Sequence, residues 1–242
     1  MLKKLAEIID AHGGQAYWNS LDSIEIEISA SGFLFTAKGV PPLSHVRMTL
    51  CTTRPEVSIH DYPAPGQTTR SIGDERVEIV DEHGNVLQER TRPREAFRRL
   101  RRFFRWDTLD FAYFSGYAMW GYMTMPFLFL HEGVEVAVAS DSESDEYTML
   151  SVKFPDTVPA HSARQDFYFD KGHRLHRLDY TAEVVGSWAK AAHFCESYQR
   201  FAGLSLPTLR RVYPKLFFNK PMRLITLVAI DIHDVIPHIA KS

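Results

Sequence analysis

Histidines and carboxylates are the first residues of this sequence that could carry chemistry. Imidazole beside carboxylate suits general acid–base catalysis near neutral pH, and it also suits metal ligation. The candidates lie in the second half of the chain, at His161, Asp179, His193, Asp231, His233 and Asp234. Asp231 and His233 share one strand face, but two ligands are too few to indicate zinc, and no metal is predicted. His161, His193 and His233 remain catalytic candidates, against the alternative of satisfied polar residues along a sheet.

Nucleophile and nucleotide motifs are missing from the sequence. There is no Gly-x-Ser-x-Gly elbow, since Ser115-Gly116 lies inside a long apolar segment. Cys51 and Cys195 lie in strand-like patterns, where a buried and inert thiol is expected. No glycine-rich phosphate loop opens a helix. The sequence therefore predicts no cofactor.

Arginines are concentrated between residues 90 and 105. The eight are Arg90, Arg92, Arg94, Arg98, Arg99, Arg101, Arg102 and Arg105. Phe97, Leu100 and Phe104 fall on one helical stripe, which predicts a basic helix. One interpretation is an anion-binding site for a membrane surface, formed by Arg98, Arg99, Arg101 and Arg102. We favour the other, a solvated face whose arginines pair with acidic loops.

Charge argues against a nucleic-acid partner. Lys and Arg total 28 against 30 Asp and Glu, a net charge of −2, so there is no bulk attraction to phosphate backbones. No basic and aromatic sheet motif accompanies the arginines. The sequence therefore predicts no nucleic-acid partner.

Residues 111–130 form a twenty-residue segment without a formal charge, long enough to cross a bilayer. Tyrosines lie through its middle, whereas spanning helices concentrate them at the interfaces. Asp107 is a suitable N-cap with Asp110 three residues later, and Pro126 ends the helix near Thr124. The pattern predicts a buried core helix over 108–124, favoured over an integral membrane span.

Most of the remaining sequence alternates as strands do. Ile24, Ile26 and Ile28 alternate with Glu25 and Glu27, the pattern of a half-buried strand. Similar short segments recur at 33–35, 46–50, 57–59, 77–79, 86–88, 134–138, 150–154, 167–169, 175–180, 193–201, 209–213 and 224–232. Short turns between them indicate an antiparallel meander of about ten strands.

These elements predict one α+β domain over 1–242, with an N-terminal helix at 1–13 and a helical insertion at 94–124. A sheet of this size must curl, and its concave face needs an apolar filler, which the helix from Asp107 supplies. The fold class is therefore a single large curved antiparallel sheet, or half-barrel, with a buried apolar helix on its concave face. An unfilled part of that face would leave a hydrophobic cavity. Its candidate ligand-binding residues are Tyr113, Tyr117, Trp120, Met123 and Tyr168.

Several segments resemble an uncharacterised family of bacterial proteins. They lie at 107–127, 161–170, 178–180, 192–194, 207–213 and 228–234, within a resemblance that covers about 92–236. More loosely, the meander with Phe-Tyr-Phe-Asp-x-Gly at 167–172 resembles the lipoprotein-localisation superfamily. That resemblance implies a half-barrel sheet that wraps a helix over an apolar cavity. A cofactor-free enzyme of violacein biosynthesis is similar in fold.

The expected location is the cytoplasm. Glu7 and Asp10 interrupt what would have to be the apolar part of a signal peptide, and two cysteines fit a reducing compartment. The leading function is binding of a hydrophobic small molecule or lipid between helix and sheet. One alternative is a cofactor-free enzyme acting on a hydrophobic or aromatic metabolite, and another is a membrane-surface-associated protein. The sequence leans towards a non-enzyme and indicates neither the ligand nor the oligomeric state.

Overall fold

A computed structural model describes residues 2–98, 103–138, 146–216 and 220–240. In this part of the chain thirteen strands form one antiparallel sheet. The strands are β1 (Leu21–Ser31), β2 (Leu43–Cys51), β3 (Glu56–His60), β4 (Thr68–Ile72), β5 (Arg76–Val80), β6 (Val86–Thr91), β7 (Glu135–Val138), β8 (Thr148–Lys153), β9 (Arg164–Phe169), β10 (Leu175–Thr181), β11 (Lys190–Phe201), β12 (Leu204–Pro214) and β13 (Val228–Ile239). The helices are α1 (Leu2–Ala11), α2 (Gln15–Asn19), α3 (Phe33–Lys38), α4 (Pro93–Ala96) and α5 (Thr108–Thr124), with a 3₁₀ turn at Phe127–Leu130.

The two edge strands of the sheet, β6 and β7, lie far apart in space although they follow one another in the chain. The order is β6-β5-β4-β3-β2-β1-β13-β12-β11-β10-β9-β8-β7, with β1 paired to β13 in the middle. The chain runs outwards from β1 to the edge at β6, and it re-enters at the opposite edge at β7. The connection between β6 and β7 must therefore cross the sheet, and it carries α5 over the concave face. The predicted curved antiparallel sheet with a buried helix is confirmed.

Helix α5 begins and ends where its sequence predicts. The Asp107 carboxylate accepts from the Asp110 backbone N–H at 2.9 Å, and the Asp110 carboxylate accepts from the Asp107 N–H at 3.3 Å. Arg90 of β6 donates to both carboxylates, at 2.7 Å and 2.6 Å. This pairing satisfies Asp110, which is fully buried. No helix in the described part of the chain is long and apolar enough to cross a bilayer.

One close approach sets the position of α5 on the sheet. The helix packs against β3, β4 and β5. A Cβ atom at Gly116 would lie 2.6 Å from the Cβ of Ser71 on β4 and 3.9 Å from the Cβ of Val57 on β3. Only glycine permits this contact, so α5 lies low over one half of the sheet. The other half is left for smaller elements to cover.

Two local predictions were wrong. Phe33 and Phe35 lie in α3 and not in a strand, because Gly32 takes a positive φ and Phe33 N–H then donates to the carbonyl of Thr226. Strand β4 was missed because Thr69 and Ser71, which it buries under α5, are polar and small. The sheet has thirteen strands, against about ten predicted.

The predicted basic helix is also wrong in the part that the structure describes. Strand β6 extends to Thr91, and α4 covers only Pro93–Ala96 before Phe97 turns the chain. Phe97 is buried whereas Phe104 is exposed, so the expected apolar stripe does not form. Arg90 is instead part of β6, where it pairs with Val77 of β5, and its guanidinium binds the carboxylates of Asp107 and Asp110. Residues 99–102 of this stretch lie outside the described residues.

We predict that Gly116→Ala lowers the free energy of unfolding by about 1–3 kcal/mol, because the added methyl overlaps Ser71. Helix propensity acts the other way, since Ala exceeds Gly by about 1 kcal/mol in a helix interior. Urea titrations of Gly116→Ala, Ser71→Gly and the double variant measure the coupling. The double variant should recover at least about 1 kcal/mol relative to the sum of the single changes. A Gly116→Ala protein as stable as wild type would contradict this packing.

Candidate functional site

A cavity of about 470 Å³ lies over the half of the sheet that α5 leaves uncovered. Its walls come from α3, α5, the loop after β10 and strands β10 to β13. They include Leu34, Ala37, Phe114, Tyr180, Ala182, Val185, Ala191, Val212, Leu227 and Val228. Ligand pockets commonly have volumes of about 300–1,000 Å³, so this space is large enough for a small molecule or an alkyl chain.

The lining is apolar apart from a few cationic and aromatic groups. Three lysines contribute to it, Lys38, Lys190 and Lys215, and no acidic residue does among those that the structure describes. Lys215 Nζ lies 2.7 Å from Asp179, which offsets its charge. Lys38 is buried with Nζ 5.3 Å from the Trp106 ring centroid, and burial lowers the pKa of Lys38. The cavity therefore suits an apolar molecule that carries a neutral or anionic group.

A second, much smaller void lies deeper between α5 and strands β1, β2 and β13. It measures about 40 Å³ and shares Phe114, Tyr180 and Val228 with the main cavity. These three side chains form the partition between the two spaces. Phe114 is only partly buried, and its ring centroid lies 5.8 Å from that of His161. Phe114 is therefore the α5 residue that faces the cavity.

His161 forms the polar part of the cavity wall. Its Nδ1 lies 3.1 Å from the Tyr117 hydroxyl and its Nε2 lies 2.7 Å from the Tyr122 hydroxyl. The imidazole stacks on the Tyr180 ring with centroids 4.1 Å apart, and the hydroxyls of Tyr122 and Tyr180 are 3.1 Å apart. Burial, together with the positive charge of Arg94, lowers the pKa of His161 to about 3. At neutral pH the ring is uncharged, and both of its nitrogens are hydrogen bonded.

Arg94 connects this network to the edge of the sheet. Its guanidinium donates to the Tyr113 hydroxyl at 3.2 Å, to the Ala160 carbonyl at 3.0 Å and to Glu183 at 3.2 Å. Tyr113 in turn donates to Asp74 at 2.6 Å. Burial raises the pKa of Tyr113, so the hydroxyl stays protonated and able to donate. This network holds the Tyr113 side of α5 away from the cavity.

The five predicted ligand-binding residues do not line this cavity. Tyr113 and Tyr117 belong to the hydrogen-bond network, and Met123 is buried in the core. Trp120 donates from its indole N–H to the Cys51 carbonyl at 3.0 Å. It lines a separate pocket of about 290 Å³. Tyr168 packs against Arg177, whose guanidinium lies 5.2 Å from its ring centroid.

Among the catalytic candidates, His161 lines the cavity and the other two do not. His193 is fully buried with its ring edge against Tyr122, and neither ring nitrogen has a partner in the described part of the chain. Burial lowers the pKa of His193. His233 lies on an exposed strand face, where Nε2 is 2.8 Å from the Ser29 hydroxyl and the ring stacks on His45.

The remaining predicted sites give little further chemistry. Arg98 is exposed, and Arg99, Arg101 and Arg102 lie outside the described residues. No group of three or more His, Cys, Asp or Glu side chains that could hold a metal ion occurs among the residues that the structure describes.

The open curved sheet with its helix on the concave face defines a LolA-like half-barrel. It is similar to a solved LolA superfamily protein from Nitrosomonas europaea, with a TM-score of 0.51 and 13% identity over 96% of this chain and 91% of that one. It is also similar to a DUF1329 family protein from Desulfovibrio piger, with a TM-score of 0.52 and 11% identity over 100% of this chain and 94% of that one. The fold that the sequence resemblance implied is thus confirmed. No family model and no curated protein matches the chain.

The depressed pKa of His161 predicts how stability depends on pH. The pKa of His161 is about 3 in the folded protein and 6.5 for an ordinary histidine, as in the unfolded chain. Between these two pH values the unfolded chain therefore binds more protons than the folded protein does. The contribution of His161 to the free energy of unfolding is therefore fully present above pH 6.5 and is lost progressively as the pH falls towards 3. We expect His161→Gln to reduce the slope of unfolding free energy against pH by about 1 kcal/mol per pH unit.

Denaturant titrations between pH 4 and pH 6 would measure these slopes, which do not depend on the absolute stability of the variant. His12 and His193 contribute slopes of the same sign, because burial lowers the pKa of both, and both remain in the variant. His233→Gln, at an exposed imidazole, is the matched control. Equal slopes for wild type and His161→Gln would contradict the neutral, buried state of this ring.

Proposed function

We propose that this protein binds a hydrophobic small molecule or lipid in the cavity between α5 and strands β10 to β13. The observation that carries the proposal is a mostly apolar cavity of about 470 Å³ that opens to solvent beside a large hydrophobic core. Protein interiors are normally filled to the density of organic crystals, so a space of this size is uncommon without a ligand. The LolA-like fold is consistent with such a use.

The gain from filling the cavity is sufficient for useful affinity. Burying each methylene contributes about 0.8 kcal/mol, so ten methylenes contribute about 8 kcal/mol before the cost of association. A few polar contacts at Lys38 or the Tyr180 hydroxyl would fix the orientation of the ligand. The preferred ligand therefore has an extended apolar part and one small polar or anionic group.

A cofactor-free enzyme is the second candidate, because His161 and Tyr180 both line the cavity. A general base works best when its pKa lies near the working pH, whereas that of His161 is about 3. Both imidazole nitrogens are also occupied by tyrosine hydroxyls. For these reasons we place binding ahead of catalysis. Mass spectrometry of a molecule recovered from the cavity tests the choice, since an enzyme returns it chemically changed and a binding protein returns it unchanged.

The cytoplasmic location stays a prediction of the sequence. Association with a membrane surface through Arg98, Arg99, Arg101 and Arg102 also stays a prediction. Of these four, Arg98 lies among the described residues and is exposed.

We predict that dansylundecanoic acid, a fluorescent fatty acid, binds with enhanced emission, and that Ala191→Phe weakens its binding by about tenfold or more. Ala191 is buried in the cavity wall, so a phenyl group there occupies space that the probe needs. The matched control is Ala137→Phe on β7, where the residue is exposed and distant from the cavity lining. Fluorescence titration, with circular dichroism to verify folding, gives the comparison. The proposal fails if wild type does not bind the probe, or if Ala191→Phe binds it equally well.

A further inference from the structure

Exposed apolar side chains are gathered around the opening of the cavity. Five residues line the cavity and are also largely exposed, and together we call them the mouth ring: Phe33, Phe103, Trp188, Leu216 and Ile225. Trp188 is the most exposed of them, at 69%. Next to the ring in sequence, Phe104 is 63% exposed and Leu224 is 93% exposed. Five of the thirteen large exposed hydrophobic residues of the described chain therefore line this one opening.

The mouth ring is assembled from four separate segments of the chain. Phe33 begins α3, Phe103 precedes α5, Trp188 lies in the loop between β10 and β11, and Leu216 and Ile225 lie between β12 and β13. Single exposed apolar residues are common on protein surfaces, but contiguous apolar patches mark interaction sites. The fold brings these segments together at the opening of the cavity, where they form one apolar surface.

Positive charge lies beside the mouth ring. Lys190 lines the same opening and is exposed, and Lys38 lines it with its side chain buried. Among the described residues, no acidic side chain lines it. The stem of Arg105 also reaches this region, since a Cβ at Gly39 would lie 3.0 Å from Arg105 Cδ beside Lys38. An apolar aromatic centre with cations at its margin complements an anionic bilayer, where rings enter the interface and cations contact headgroups.

We propose that the mouth ring docks on an anionic lipid bilayer, so that the cavity opens towards the membrane. Trp188 and the two phenylalanines of the ring enter the interfacial layer, because Trp and Phe gain most from this amphipathic environment. The cations hold the opening against the headgroups and strengthen binding at low salt. The proposal concerns an interaction surface and does not require that the cavity be loaded.

Trp188 supplies a direct reporter for this contact. The chain has four tryptophans, and the other three, Trp18, Trp106 and Trp120, are buried. Adding vesicles of phosphatidylcholine with phosphatidylglycerol should therefore shift the emission of Trp188 to shorter wavelength and protect it from acrylamide quenching. Vesicles of phosphatidylcholine alone should bind about tenfold less protein in sedimentation, because each cation near an anionic surface contributes substantially. Raising the salt concentration should reduce this difference.

Variants at the ring complete the test. We expect Trp188→Ser and Phe33→Ser each to lower partition onto the anionic vesicles by about tenfold, because each removes a ring from the interface. The matched control is Ile239→Ser, which changes a residue of similar exposure at the far end of β13, about 35 Å from Val228 at the mouth. Its partition should equal that of wild type.

The outcomes separate this proposal from the others. Unchanged Trp188 emission with anionic vesicles, or equal partition of Trp188→Ser and wild type, would overturn membrane docking. A concentration-dependent dimer without vesicles that Trp188→Ser dissolves in sedimentation velocity would also overturn it, in favour of a second copy as the occupant. Ala191→Phe should keep vesicle binding while losing the fatty-acid probe, so failure of the cavity proposal and failure of docking are distinguishable.

Discussion

The fit of one helix to a much wider sheet determines the rest of this structure. Thirteen strands at a spacing of about 4.8 Å extend nearly 60 Å along the curve of the sheet, whereas a helix with its side chains is about 10–12 Å across. A single helix therefore covers two or three strands. Helix α5 covers β3 to β5, and the contact between Gly116 and Ser71 fixes it there. The opposite half is covered by smaller elements, namely α1, α3, the 3₁₀ turn and loops. The cavity lies between α3, Phe114 of α5 and strands β10 to β13.

Polar groups inside the fold stabilise the position of α5 over one half of the sheet. Arg90 binds the buried carboxylate of Asp110 at the start of the helix, and Arg94 binds the hydroxyl of Tyr113 one turn later. On the cavity side, the uncharged His161 connects Tyr117 and Tyr122 to the loop before β9. These contacts satisfy groups that would be costly to bury alone. Phe114 and Tyr180 remain at the cavity wall, which is mostly apolar.

The sequence was sufficient for the parts of the fold that depend on local signals. Asp107, Asp110 and Pro126 are capping and breaking signals, and they defined α5 correctly. Alternation of apolar and polar residues predicted most strands, but it failed for β4. The buried residues of β4, Thr69 and Ser71, are small and polar, and Ser71 packs against Gly116 of α5. Such a contact between distant segments leaves no periodic trace in the sequence.

The candidate site was harder to predict for a related reason. Helix α5 is apolar on every side, so its sequence has no amphipathic direction and does not indicate which stripe faces a cavity. The α5 residue at this cavity is Phe114, and ligand binding by Tyr113, Tyr117 and Trp120 stays a prediction. His161 lies at the cavity and its catalytic role stays a prediction. Its neutral state follows from burial that only the fold reveals. Trp188 lies in a loop and gave no signal beyond its residue type.

The most direct measurement of the central claim is a crystal structure of the protein bound to a fatty acid brominated at the end of its chain. Bromine gives an anomalous signal that locates the chain without reference to the protein. The account predicts a single peak between Phe114 and Ala191, inside the cavity. A peak at another place on the molecule, or a well-ordered cavity without bromine at saturating probe, would contradict it.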